Sequence, residues 1–154
     1  MSVYHEAKGS VLNKIIIVIL FAALVYVIYE PYTIREREEF YKRESRLRML
    51  NIRAAQLQYI NRFFRYNSSL DSLVQFVKDS LVAKGSVEGI FLPLSNGIFV
   101  PESLLHSPKT FRPYMLAIND TSRIKKYLLE CPDGYGSIGS VTDDTRVNKA
   151  SWED

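Results

Sequence analysis

The stretch Ile15–Tyr29, IIIVILFAALVYVIY, decides how the rest of the chain is read. Its fifteen residues carry no charge and would be apolar on every side of a helix. With Val11 and Leu12 ahead of it, and Lys14 able to snorkel, the span approaches the ~20 residues that cross a bilayer core. Tyr26, Tyr29 and Tyr32 collect at its C-terminal end, where an aromatic belt belongs. Two alternatives exist. A buried core helix would need surroundings that so small a domain cannot supply. A cleaved signal peptide would suit Lys8 and Lys14 before a short apolar run, but the run closes on Val-Ile-Tyr-Glu-Pro-Tyr, with no small-x-small site. The segment is therefore expected to stay in the chain as a membrane anchor.

With 154 residues, the chain has room for one anchor and one small domain. Net charge is +3, too small to point to nucleic acid. Its distribution is more informative: residues 1–66 hold eleven Lys/Arg against six Asp/Glu, and residues 67–154 hold nine against eleven. The near half is basic, as suits anionic headgroups or an acidic partner, although an Arg-rich solvated helix face would read the same way. Cys131 is the single cysteine, so no disulfide framework is possible within the chain, and it reads as a small buried hydrophobe.

After Pro31 nothing breaks a helix until about Tyr66. Phe40, Leu47, Leu50, Ala54, Leu57 and Phe64 follow a three–four spacing, with a second stripe of Tyr41, Ile52, Tyr59 and Phe63. The two stripes suggest a helix that protrudes first and is embraced by a domain from about Ala54 onwards. A helix lying along the bilayer surface is the alternative. Asn67-Ser68-Ser69 supplies caps for a short helix, Leu70–Leu81, with Leu70, Leu73, Val74, Phe76 and Val77 inward and the helix held against a sheet. The period then changes. Residues 89–100 read as a hairpin turning on Asn96-Gly97, Tyr114–Ile118 and Tyr127–Cys131 as strands, Pro132–Gly136 as a turn, and Ser137–Val141 as a last strand. The tail Thr142–Asp154 reads as irregular. The fold class is α+β, with a transmembrane helix continuing into a long helix packed on a small antiparallel sheet. The organisation is a short tail (1–12), a transmembrane helix (13–31), a membrane-proximal stalk (32–66) and a head (67–154).

This order, with Leu50-Asn51-Ile52-Arg53-Ala54-Ala55-Gln56-Leu57-Gln58-Tyr59 and then Arg65-Tyr66-Asn67-Ser68-Ser69-Leu70-Asp71-Ser72-Leu73, resembles the type IV pilin and pseudopilin architecture. There an Ile-Arg-x-Ala-Gln-x-x-Tyr helix end precedes a Gly-Arg-Tyr loop and a Leu-Asp-x-Leu helix. The chain resembles still more closely a group of uncharacterised membrane-anchored Bacteroidetes proteins, many of which end in a Cys-Pro turn, a Gly-Ser-Val/Ile strand and a Trp-Glu tail, here Cys131-Pro132, Gly139-Ser140-Val141 and Trp152-Glu153. It departs from pilins in two places. Gly9-Ser10-Val11-Leu12-Asn13-Lys14 lacks the prepilin-peptidase pattern, and Phe64 stands where the usual glycine would be. The resemblance implies a cytoplasmic N-terminus and a periplasmic head in the bacterial inner membrane. The charge count runs the other way, because Arg35, Arg37, Lys42, Arg43, Arg46 and Arg48 outnumber Lys8 and Lys14. The orientation implied by the resemblance is the one adopted.

The residues hold no recognisable catalytic set. His5 and His106 are the only histidines, which leaves no Ser/His/Asp, Cys/His or HExxH arrangement, and Gly134-Tyr135-Gly136 has no phosphate-loop Lys. Asp133, Asp143 and Asp144 could bind Ca²⁺ weakly, but read more simply as solvated turns. No cofactor, metal or small-molecule substrate is expected. Phe63, Phe64, Tyr66 and Phe76 read as core. The partner-binding candidates are Phe40, Arg43, Arg46, Leu47, Arg48 and Leu50, an apolar seam with arginines beside it near the membrane. They suit other membrane-protein subunits of an envelope complex, or lipid phosphates. The function read from this pattern is a structural or accessory subunit of a secretion, motility or transport machine. An autonomous periplasmic binding module and a pseudopilin-like assembly subunit stay open.

Overall fold

In the computed structural model, which describes residues 11–83, 85 and 89–153, a single helix α1 runs from Val11 to Phe63. His5, Lys8 and the Gly9-Ser10 pair lie outside the described residues. Pro31 sits inside α1, where it removes one amide from the ladder without ending the helix. The chain divides into a unit up to Glu39 and a unit from Phe40 onward. In the first unit the apolar side chains from Val11 to Ile34 are exposed; Ile17, Phe21 and Ile28 each keep more than 60% of their surface open. One 18-residue window of the helix is long and apolar enough to cross a membrane, and none of it is buried by the protein.

In the second unit, the Phe40–Phe63 part of α1 packs on a three-stranded antiparallel sheet, so the fold is α+β. α1 ends at a left-handed residue, Phe64 (φ 57°), whose amide donates to the Ile60 carbonyl at 2.8 Å. That is the position at which glycine usually terminates a helix. Asn67 Oδ1 then accepts from the Ser69 amide, and Ser69 caps α2 (Leu70–Phe76), which continues as a π-helical turn over Val77–Val82. Leu70, Leu73, Val74, Phe76 and Val77 are all buried, as their spacing predicts. Phe76, however, meets Tyr59 and Phe63 of α1 edge-on, at ring-centroid distances of 5.2 and 5.8 Å. It thus helps fasten α2 to the long helix.

The strands are β1 (Met115–Asn119), β2 (Lys126–Glu130) and β3 (Ser137–Gly139), in the order β1-β2-β3. Leu116 faces Leu129, Ile118 faces Tyr127, and Leu129 faces Ile138. Tyr127, Leu129 and Ile138 are completely covered by α1 and its neighbours. Gly139 is required on β3. It sits at φ 82°, and a Cβ there would lie 2.2 Å from the Tyr127 carbonyl oxygen.

Two expectations are corrected. The Asn96-Gly97 turn forms, with the Gly97 amide donating to Leu94, but residues 89–100 contain no strand pair. Phe91 and Phe99 stack face to face at 4.2 Å instead, and the peptide groups of this loop are held by side chains of α1. The tail is also less irregular than its composition suggests. The Gly139 amide donates to Lys149, the Ser151 amide donates to Ser137, and Ala150 is fully buried. The tail is polar because its outer side is wet, yet its backbone extends the sheet.

Candidate functional site

The buried stripe of α1 is partly polar. Glu44, Ser45, Asn51 and Gln56 are inside together with Met49, Ile52 and Ala55. Three of the polar members, Glu44, Asn51 and Gln56, serve stretches of chain that have no ladder of their own. Glu44 Oε2 accepts from the Ser95 amide at 3.0 Å and from its hydroxyl at 2.5 Å. Asn51 donates to the Leu92 carbonyl and accepts from the Leu92 amide. Gln56 makes the same two-way pair with Asn67, at 2.8 and 2.9 Å. A side-chain amide carries one donor and one acceptor in peptide-like geometry, so it can replace a neighbouring strand for a single residue.

Ser45 Oγ lies 3.1 Å from both Cys131 Sγ and Tyr114 Oη. All three are buried, and burial pushes the Tyr114 hydroxyl well above its ordinary pKa, with the hydrogen bond from Ser45 opposing the rise only in part. The three atoms satisfy one another in a closed interior, and Cys131 is buried as the sequence predicts. For Glu44, burial raises the pKa, but the Ser95 hydroxyl and amide and the Arg48 guanidinium outweigh it and hold the carboxyl below its usual range.

The candidate partner residues separate into two groups. Phe40 keeps 42% of its surface and packs edge-on against Tyr41 at 5.8 Å, and Arg43 points outward. Leu47 is half-buried. Leu50, in contrast, packs against the core. Arg48 bonds Glu44 at 3.3 Å and donates to the His106 carbonyl at 2.9 Å. Arg46 donates to the Tyr135 carbonyl at 3.2 Å and lays its guanidinium over the Trp152 ring at 4.7 Å. Cover by the head therefore begins at Glu44, ten residues before the expected Ala54. The expected seam is a flank, and Leu57 on it remains 37% exposed, because the interior selects the polar positions that loop peptides need. Of the six candidates, Phe40 and Arg43 are exposed, and Arg46, Leu47, Arg48 and Leu50 are half-buried.

The tail closes the same side of α1. Arg53 donates to the Asn148 carbonyl and, at 3.0 Å, to both oxygens of Glu153. The acidic residues weighed as a cation site are engaged elsewhere: Asp133 accepts from Ser107 and Thr110, Asp143 caps Thr145, and Asp144 pairs with Lys126. Among the described residues no three His, Cys, Asp or Glu side chains gather as a metal site would require. Phe63 and Phe64, read as core, are 45% and 77% exposed, whereas Tyr66 and Phe76 are buried. Sequence reasoning missed Glu44, Asn51 and Gln56 as the residues that hold the head on the helix. A seven-residue polar spacing from Glu44 to Asn51 was the available signal, but the loops they bind lie more than forty residues away for two of the three.

No known family model, curated protein or solved structure matches this chain.

Proposed function

We propose that the protein is a single-pass membrane protein whose head acts by protein contacts, as a structural or accessory subunit of a larger assembly in a bacterial cell envelope. The observation that carries this is the uncovered helix. An eighteen-residue window of strongly apolar mean hydropathy has none of its residues buried by the protein, and water would penalise that surface by ~25 cal/mol for each Å² of apolar area left open. The segment Val11–Tyr32 would be about 33 Å long as an α-helix, close to the thickness of a bilayer's hydrocarbon core. Lipid is the solvent that fits it.

The head faces the periplasm in this reading, as the pilin-like run at Leu50–Tyr59 and the Leu70–Leu73 helix imply. Phe40 and Arg43 are the contact residues, with Leu47 beside them. An exposed aromatic and an exposed arginine on one helix suit a partner helix that offers an apolar stripe and a carboxylate. Carbonate extraction tests the anchor: the protein should stay in the membrane pellet, and release into the soluble fraction ends the proposal. A cysteine placed at Asp144 tests the side. It should react with an impermeant thiol reagent in cells with a permeabilised outer membrane; labelling only after lysis reverses the topology. The partner claim is tested by Phe40→Glu with Arg43→Glu, which should leave the folded protein in the membrane but strip it of co-purifying proteins. Unchanged co-purification moves the contact surface elsewhere on the head.

A further inference from the structure

The C-terminal end of α1 turns apolar side chains outward. Phe64 keeps 77% of its surface open, Phe63 45%, and Ile124, in the turn between β1 and β2, 47%. The Lys125 ammonium donates to the Phe64 carbonyl, which brings that turn beside the helix end. Phe64 stands out among the three. Its bulky side chain sits at φ 57°, on a backbone that disfavours it, and little of the ring is covered in return. Strain retained under an exposed aromatic ring points to a surface that uses the ring. The charge around it is one-sided. Arg62, Arg65 and Arg123 are exposed, and Asp120 is the single carboxylate in the same helix end and turn. Arg62 donates to the Ser80 hydroxyl at 3.1 Å and lies 5.6 Å from the centre of the Phe63 ring. Asp79, next to Ser80, accepts from Gln75 instead. Arg65 and Arg123 have no hydrogen bond or ion pair among the described residues.

We infer that this end of the head docks on a second bilayer, opposed to the one that holds the anchor and bearing anionic headgroups. Phe64 and Ile124 enter the boundary between headgroups and acyl chains, while Arg65 and Arg123 pair with lipid phosphates. Apolar side chains ringed by arginines are the composition that suits such a boundary, where the apolar part leaves water and the charges stay at headgroup level. A fluid surface closes around protruding rings, whereas a protein partner would need a pocket shaped to them and rimmed with carboxylates. The head begins at Phe40, and Phe40 and Phe63 are about 35 Å apart along α1. That length argues for an opposed bilayer rather than the one the chain leaves. The inference rests on the anchor proposed above and adds a second lipid contact to it.

Flotation of the full chain tests the bridge. The protein is placed in nanodiscs of phosphatidylcholine and mixed with protein-free vesicles, either of phosphatidylcholine alone or with an equal share of phosphatidylglycerol. The loaded nanodiscs should float with the anionic vesicles and not with the neutral ones, and added salt should release them. Arg65→Glu with Arg123→Glu, both at exposed positions, should weaken the association on the order of tenfold or more. Phe64→Gly keeps every charge and relieves the backbone, so it should weaken the association several-fold while the unfolding temperature does not fall. A chain that does not enter nanodiscs ends the anchor reading, and the bridge with it. A chain that enters them but ignores anionic vesicles, or floats equally with neutral ones, overturns this inference alone. So does a Phe64→Gly variant that binds like the parent, because charge without the ring then accounts for the attraction.

Discussion

Asn51 and Leu92 exchange two hydrogen bonds: the Asn51 amide donates to the Leu92 carbonyl at 2.9 Å, and the Leu92 amide donates to Asn51 Oδ1 at 2.7 Å. The pair fastens a loop without regular structure to the middle of α1. Asn51 is completely buried, so truncation leaves a main-chain donor and acceptor without partners beside a cavity. Asn51→Ala should cost about 2–4 kcal/mol, read as a fall of roughly 10 °C or more in the unfolding temperature of the full chain. Asn51→Leu restores the volume but not the bonds. It should be nearly as damaging, and a stable leucine variant would show that packing alone holds this loop.

The same pair explains what could be read in advance. The charge-free run at Ile15–Tyr29, the strands within a residue or two of their ends, and the inward face of Leu70–Val77 follow from local composition and period. The loop at residues 89–100 does not. Its apolar residues and Asn-Gly turn resemble a hairpin, and what prevents a ladder is a pair of side chains 51 and 41 residues away, Glu44 and Asn51, which satisfy its peptides first. Arg46 and Arg48 were misleading for the same reason. Their sequence neighbours advertise a basic helix face, while the Tyr135 and His106 carbonyls that receive them are set only by the tertiary fold.

Acid should loosen the head through Glu44. Its carboxyl is held below the ordinary value of 4.5 against the opposing effect of burial, by the two Ser95 donors and by Arg48. A group with a depressed folded pKa contributes its stability above its unfolded pKa and loses it as pH falls through the folded value. Glu153 is lowered too, chiefly by the Ala150 amide, against burial and with help from Arg53. Unfolding temperature should therefore be flat above about pH 5 and decline below it. Glu44→Gln should cost about 1–2 kcal/mol at neutral pH and flatten that decline in part. An identical acid slope in the variant would remove Glu44 from the account.

Phe76 ties α2 to α1 by its edge-on contacts with Tyr59 and Phe63, and only 9% of it is exposed. Truncating a ring so placed costs ~3–5 kcal/mol, a large share of what a small domain has. Phe76→Ala should therefore lower the unfolding temperature sharply or leave the head partly unfolded at 37 °C. Unchanged thermal unfolding would make α2 peripheral to the stability of the head.

Phe64 points the opposite way, towards a substitution that stabilises. Its backbone adopts φ 57° to end α1, a conformation that costs a residue with a Cβ about 1–2 kcal/mol and costs glycine almost nothing. The ring recovers little of this, because 77% of its surface faces solvent. Its amide keeps the bond to the Ile60 carbonyl whichever residue stands there. Phe64→Gly should therefore raise stability by about 1 kcal/mol, which for a head of this size is several degrees in the unfolding temperature. Phe64→Ala separates the two contributions: it removes the ring but retains the backbone cost, so it should leave stability close to that of the parent. If the glycine variant is instead less stable than the parent, and the alanine variant loses as much, the ring makes contacts worth more than the strain of its backbone.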